Sequence, residues 1–209
     1  MQSIERHLVC VARAHHLHRL TIAFSDGWDP TGDGNEAASL RDGRRAHVWL
    51  GSNWVGPGDT THLPAVLEHE LGHILRRDNE RSTFLQAGGV LLAVLATAWL
   101  PLTLAVLVAA ALRLLYTGWV WHSELACDAR AVRTCGRDAV IALWRRNTDL
   151  LRTLPQPARR GIVLRAAATH PPYRLRVWWA LRITASPGTV SHPLAVLPAA
   201  YDTIPPHAA

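Results

Sequence analysis

The sequence predicts an α+β fold that is mainly helical, with a small antiparallel sheet and an apolar helical hairpin inserted between two charged helices. Three observations support this prediction. Apolar residues recur at helical spacing in several segments, of which residues 63–75 are the clearest. Residues 46–50, Ala-His-Val-Trp-Leu, have the composition of a short strand. No charged residue occurs in residues 84–112, and Pro101 lies inside this run.

The composition is that of one folded domain. The chain has 209 residues, of which 49% are hydrophobic and 18% charged, and its formal net charge is +6. This length can bury a substantial core, and this composition excludes disordered and collagen-like proteins. All 22 basic residues are arginine, and they are scattered without an aromatic-interleaved basic motif. We therefore expect no nucleic-acid partner, because such a partner requires a concentrated basic surface.

The N-terminal segment and the cysteines favour an active part that faces the cytoplasm. Residues 2–20 have apolar residues at roughly helical spacing, and the charged Glu5 and Arg6 come before any apolar run, unlike in a secretory signal. The number of cysteines is odd and no Cys-x-x-Cys occurs: Cys10, Cys127 and Cys135. We expect three free thiols in a reducing compartment, with the chemically active part of the chain facing the cytoplasm.

The next elements are a turn, a strand and a helix. Residues 25–36 have turn composition, and residues 51–59 form a Gly- and Pro-containing loop after the strand. A helix is predicted to begin near Thr60 or Thr61, whose hydroxyl can cap it, and to end in Arg76, Arg77 and Asp78-Asn79, where the two arginines suit a helix C-terminus.

Three further helices are predicted after the apolar run: 123–135, 138–152 and 173–183. Gly136 would end the first, and Pro155 and Pro157 interrupt the chain after the second. We expect one domain over residues 1–183 and a loose Pro- and Ala-rich tail over residues 184–209.

The most informative segment is His69-Glu70-Leu71-Gly72-His73. On a helix, His69 and His73 lie one turn apart on the same face, so both imidazoles can bind one zinc ion. Glu70 projects nearby and can act on a metal-bound water. With this composition, a His-Glu-x-x-His pattern is expected by chance only about 0.02 times. The alternative is a solvated helix face with incidental histidines.

A catalytic zinc ion needs a third protein ligand and an open position for water. The only glutamate after Glu80 is Glu124, and Asp128 follows it four residues later in a predicted helix. This spacing allows both carboxylates to face the metal. We predict Glu124 as the ligand and Asp128 as the hydrogen-bond acceptor that orients a zinc-bound histidine. Alternatively, this is an exposed acidic turn paired with Arg130.

These segments together resemble the M48 peptidases, gluzincins that include HtpX-type and Ste24-type membrane proteases. The shared motifs are His-Glu-x-x-His at 69–73, Glu124-x-x-x-Asp128 after a hydrophobic insertion, and a Thr-His-Pro-Pro segment at 169–172 followed by Arg176. The resemblance covers roughly residues 40–182. It implies a zincin-type fold, one Zn²⁺ per chain, and residues 46–50 as the edge strand that pairs with an extended substrate.

The resemblance also implies that His170 or Arg176 donates a hydrogen bond to the oxyanion of the tetrahedral intermediate. Such a donor lowers the barrier because it faces developing negative charge. From the residues alone, Pro171 and Pro172 could simply begin a helix, and Arg176 could form a structural salt bridge near the site. We expect Glu70 and His170 to be catalytic, with Arg176 beside Asp128 around the ligands.

The apolar run must return to the side from which it starts. A single straight crossing of a bilayer would place His69 and His73 on one side and Glu124 on the other. Either Glu124 is not a ligand or the run folds back at Pro101. We predict a hairpin of two helices, 84–100 and 102–121, whose two ends lie near arginines on the cytoplasmic side. Alternatively, the hairpin is buried in a soluble core or a dimer interface.

The predicted function is that of a zinc-dependent metalloendopeptidase at the cell membrane. Zinc held by His69, His73 and Glu124 would activate a bound water, with Glu70 as the general base. The expected partners are a protein or peptide substrate and a lipid bilayer. Two alternatives stay open: a membrane-anchored zinc module that regulates or senses without catalysis, and a small metallopeptidase without membrane contact.

Overall fold

The computed structural model describes residues 2–24, 37–51, 54 and 62–184, with side chains from residue 6 onward except that of Phe24. These residues form seven helices and three strands: α1 (Gln2–Ala14), β1 (Arg19–Phe24), β2 (Ala37–Asp42), β3 (Arg45–Leu50), α2 (Leu63–Arg76), α3 (Asp78–Trp99), α4 (Leu102–Cys135), α5 (Arg137–Thr153), α6 (Gln156–Ala167) and α7 (Tyr173–Arg182). The predicted turn at 25–36, the capping threonines and the tail beyond residue 184 lie outside the described residues.

The sheet is mixed, and the prediction of an antiparallel sheet is wrong for one of its two strand pairs. The strand order is β1-β3-β2, with β2 antiparallel and β1 parallel to β3. Gly43, at φ +55°, and Arg44 make the tight turn of the antiparallel pair. β1 is separated from β3 by 20 residues, which is long enough for a parallel connection.

Helix α2 lies on the sheet and forms the centre of the core. Its apolar face packs with Ala46, Val48 and Leu50, the alternate side chains of β3 that are fully buried. Its other neighbour is α4, which approaches closely at Gly72. A Cβ at Gly72 would lie 2.9 Å from the Cys127 sulfur and 3.1 Å from the Cys127 Cα. The absent side chain therefore permits the two helices to cross at this distance.

The apolar run forms a hairpin, as the sequence predicts, but its second arm does not end at residue 121. Leu100 and Pro101 separate α3 from α4, and α4 continues for 34 residues through the segment predicted as a separate helix. No glycine or proline lies between Trp121 and Cys135 to break it. Both helices are long and apolar enough to cross a membrane, and only 6% of the residues in the apolar 18-residue stretch of each helix are buried.

Helix α6 is an element that the sequence reasoning missed, because Pro155 and Pro157 were taken as interruptions. Pro155 precedes the helix and Pro157 lies in its first turn, where a proline removes no hydrogen bond. None of its residues is buried. It lies over one side of the cavity described below, to which Ile162, Val163 and Ala166 contribute.

Candidate metal centre

Two helices bring the three predicted ligands together. Helix α2 places His69 and His73 one turn apart, and α4 places Glu124 opposite them. The His69 and His73 Nε2 atoms are 3.2 Å apart. The Glu124 carboxylate oxygens lie 3.4 Å from His69 Nε2 and 3.2 Å from His73 Nε2. All three side chains are largely buried, so these donors converge in a protected position.

The spacing of these donors fits a zinc ion. In a tetrahedral zinc site with metal–ligand bonds of about 2.0–2.1 Å, any two ligand atoms are about 3.3 Å apart. The three distances between the ligand atoms agree with that value. His73, Asp78 and Cys127 form a second possible group, but His73 Nδ1 and Asp78 already bond to each other there. Two imidazole nitrogens and one carboxylate are also a donor set that zinc accepts.

Each histidine uses its second ring nitrogen on a different carboxylate. His69 Nδ1 lies 3.0 Å from Asp128, the partner proposed from the sequence. His73 Nδ1 lies 3.0 Å from Asp78. Burial lowers the pKa of His69, but its hydrogen bonds to Asp128 and Glu124 outweigh burial and raise the pKa to about 9. The carboxylates thus fix both rings with Nε2 toward the third ligand.

Asp78 is a site residue that sequence reasoning missed. It begins α3 immediately after Arg77, whose left-handed φ of 56° ends α2 and turns the chain back toward the site. Asp78 also accepts hydrogen bonds from Ser123 and, at 3.3 Å, from Arg76. The sequence signal that could have found Asp78 is that each zinc-binding histidine needs a hydrogen-bond acceptor for its second ring nitrogen. The chain offers an aspartate only five residues after His73.

Arg176 lies behind the ligands. Its guanidinium donates two hydrogen bonds of 2.7 Å to Asp128, and Nη1 is 3.1 Å from Glu124. Its Cζ lies 3.5 Å from the centre of the Trp144 ring. Only 2% of the residue is exposed. Its donors are thus used on two carboxylates, which is the structural salt bridge that the sequence left as an alternative to oxyanion binding.

His170 lies at the mouth of the site. About half of its side chain is exposed, and Nε2 is 3.8 Å from Glu124. Its Nδ1 lies 2.9 Å from the Thr169 hydroxyl. The segment 169–172 connects α6 to α7, and Pro172 directly precedes α7. The His170 ring therefore faces both solvent and the metal centre.

The ligands open into a cavity of about 690 Å³. Glu70, which is 7% exposed, lines this cavity with His69, His73 and Glu124. Much of the remaining lining is apolar and comes from α5 and α6: Leu143, Trp144, Leu151, Ile162, Val163 and Ala166. The cavity therefore has a carboxylate beside the candidate metal ligands and an extended apolar surface.

The strand along this cavity is β2 and not the one expected. Ala37, Ala38 and Ser39 of β2 line it. Residues 46–50 were expected to be the edge strand that pairs with substrate, but β3 lies between β1 and β2 and has neighbours on both sides. That expectation is wrong, because β1 and β2 were not recognised in the sequence and the only predicted strand was taken as an edge.

The sequence profile of Peptidase family M48 matches residues 43–182. No curated protein and no solved structure matches the chain. The matched segment is more than half of the chain, and it contains α2, α4 and the α7 arginine that form this site. Peptidases of this family are metalloproteases that use a metal, typically zinc. The chain therefore belongs to peptidase family M48.

Proposed function

We propose that this chain is a zinc-dependent metalloendopeptidase of the HtpX or Ste24 type that hydrolyses peptide bonds at the cell membrane. The observation that supports this most strongly is the spacing of 3.2–3.4 Å among the donors of His69, His73 and Glu124 beside a cavity lined by Glu70. In this proposal residues 1–183 form the peptidase domain, and one Zn²⁺ binds per chain.

The three ligands hold the metal, and the residues behind them hold the ligands. His69, His73 and Glu124 would hold the zinc ion, which would supply Lewis-acid chemistry that makes an attacking water more acidic. Asp78 and Asp128 orient the two imidazoles through their Nδ1 atoms. Arg176 fixes Asp128 and Glu124, because it donates to both. Breaking such a buried pair leaves an uncompensated charge, so this arrangement also favours one position of α7.

Glu70 is the proposed general base. It takes a proton from the attacking water and then delivers it to the leaving amine. His170, at the mouth of the site, is the proposed donor to the oxyanion of the tetrahedral intermediate. An extended peptide would lie along β2, with side chains against the apolar wall of α5 and α6. Two carboxylates with different environments, Glu70 and Glu124, thus have different roles.

The hairpin is the proposed membrane element. Its apolar side chains face outward on both arms, as in Val90, Leu91, Val106 and Leu107, each more than half exposed. A bilayer would cover them, since water is an unfavourable environment for so large an apolar surface. Arginines occur at the start of α3 and at Arg113 on α4, which favours a cytoplasmic position for both ends and for the metal centre.

The substitution Glu70→Gln tests the catalytic proposal. We expect it to abolish casein proteolysis while the zinc content stays near one per chain, because an amide cannot accept the proton but Glu70 is not a metal ligand. Glu80→Gln is the matched control, since Glu80 pairs with Arg77 outside the cavity and should retain activity. The proposal would be contradicted if the Glu70 variant bound zinc and cleaved casein as fast as the parent. If the parent bound zinc but cleaved no casein, the non-catalytic zinc module would be favoured.

A further inference from the structure

Asn79 contacts the strand along the cavity and not the metal ligands. Its side-chain Nδ2 donates a hydrogen bond of 2.7 Å to the backbone carbonyl of Ser39 in β2. Both residues line the cavity that contains His69 and Glu124. A side-chain amide therefore occupies the position from which a peptide N–H would reach the same carbonyl.

The turn between β2 and β3 determines which backbone groups of β2 point away from the sheet. Asp42 pairs with Arg45 across a two-residue turn, and residues next to such a turn form a hydrogen-bonded pair. Hydrogen-bonded and non-hydrogen-bonded pairs alternate along an antiparallel ladder. Counting back from Asp42, the N–H and C=O groups of three residues point to the free edge: Arg41, Ser39 and Ala37.

Only part of that free edge is open beside the metal centre. Ala37 and Ser39 line the cavity, whereas Arg41 does not, and its side chain donates to the carbonyl of Ile74 at the end of α2. Asn79 therefore bonds to the last outward-facing residue of β2 that lines the cavity. The outward backbone groups of Ala37 are thus available to a peptide, whereas the carbonyl of Ser39 already accepts a hydrogen bond from Asn79.

We propose that Asn79 sets the limit of the substrate-binding strand: an extended peptide pairs with β2 at Ala37, and Asn79 ends this pairing at Ser39. The proposal rests on the proposed peptidase function. It makes Asn79 a residue that determines specificity for chain length on one side of the cleaved bond. Residues of the substrate beyond that point gain no further backbone hydrogen bonds from the enzyme.

The test uses the zinc-loaded full chain and a casein-derived peptide whose cleaved bond has been mapped by mass spectrometry. The peptide is lengthened by one, two and three alanines on either side. For the parent, kcat/KM is expected to stop rising with length on one side. In Asn79→Ala, added residues on that side should raise kcat/KM about threefold to tenfold, mainly through KM, because a strand hydrogen bond is released for the substrate.

Asn147→Ala is the matched control, because Asn147 lines the same cavity from α5 and should leave the length limit of the parent unchanged. A uniform change across all peptides in Asn79→Ala would show that Asn79 only fastens α3 to β2, and would overturn the proposal. If Asn79→Ala does not fold, the peptide series with the parent still tests the proposal. A kcat/KM that keeps rising with peptide length on both sides of the cleaved bond would overturn it. A parent that cleaves no peptide refutes the proposed function itself.

Discussion

The second ring nitrogens of His69 and His73 reach carboxylates on different helices, Asp128 on α4 and Asp78 on α3. These contacts prepare the site for a metal, but they also favour a proton on the rings when no metal is bound. A histidine must lose that proton to become a ligand. Asp128 and Asp78, which contact the Nδ1 atoms, would therefore make the affinity for zinc depend on pH.

We predict that zinc binding releases protons from His69 and His73 below about pH 9, so that affinity rises with pH by about tenfold per unit for each proton released. The pKa of His69 in the folded, metal-free protein is about 9, above the value of about 6.5 in an unfolded chain. Protonated His69 thus stabilises the folded, metal-free protein fully below pH 6.5, and this stabilisation is lost as the pH rises through 9. Zinc titration calorimetry in two buffers of different ionisation enthalpy measures the proton release.

His47→Gln is the control for this titration. His47 bonds to Thr21 in the sheet and does not line the cavity, so its loss should leave the proton release unchanged. Identical binding heats in both buffers at pH 7.5 would mean that the histidines are already neutral, and the prediction would be wrong.

At the scale of residues, the sequence indicated which side chains converge at the candidate metal centre, and it indicated their surroundings only in part. Residues at i and i+4 of a helix share a face whatever the rest of the fold does, so His69 and His73 could be predicted from spacing alone. Asp78 could not, because its position depends on the left-handed conformation of Arg77, for which glycine is the usual sequence signal. The same turn carries Asn79 to β2.

The contact between α2 and α4 decides whether the three ligands meet. Gly72 lies between His69 and His73 in sequence, on the part of α2 that touches Cys127. A side chain there would separate the helix with two ligands from the helix with the third. The glycine in this motif therefore has a packing role that is distinct from the chemistry of its neighbours.

We predict that Gly72→Ala lowers the free energy of unfolding by about 1–3 kcal/mol through overpacking, and also weakens zinc binding. The added methyl would meet the Cys127 sulfur and Cα at 2.9 and 3.1 Å. Denaturant unfolding and zinc titration measure the two effects. Gly161→Ala in α6 is the matched control, since nothing lies within 4 Å of its new Cβ and alanine favours a helix. Unchanged zinc affinity in Gly72→Ala would contradict this explanation of the crossing.

Among the elements, the long helices were predictable and the sheet was not. A charge-free run broken by one proline predicts a helical hairpin without further information. Strand β1 follows α1 closely, and the helical spacing over residues 2–20 overlaps its start, while β2 has a polar and small-residue composition that gives little strand signal. The error about the substrate-pairing edge followed from this, because strand order depends on contacts that one strand cannot reveal.

At the scale of the whole molecule, the helices and sheet around the candidate metal centre bear two apolar arms, which pack against each other but leave most of their apolar side chains exposed. The exposed leucines and valines of these arms are spread around the helices and not confined to one stripe. A helix that is apolar on all sides is typical of a bilayer environment. The arrangement favours membrane association over a soluble enzyme.

We predict that the full chain remains in the membrane fraction in high salt and is released only by detergent. The double substitution Leu91→Arg and Leu107→Arg should shift it toward the soluble fraction, because an arginine near the bilayer centre costs about 2.5–3.5 kcal/mol. Leu164→Arg is the control: Leu164 is also more than half exposed but lies on α6, outside the hairpin. Release of the parent protein without detergent would support the soluble metallopeptidase instead.

Helix α4 connects the apolar hairpin directly to the candidate metal centre. The helix extends unbroken from Leu102 at the hairpin tip to Cys135, a length of about 51 Å. Glu124 is therefore attached to the same stiff rod that would be embedded in lipid. In the proposed membrane peptidase, a change in bilayer thickness or curvature that tilts this helix would also displace the Glu124 carboxylate, so the state of the lipid would act on the geometry of metal binding.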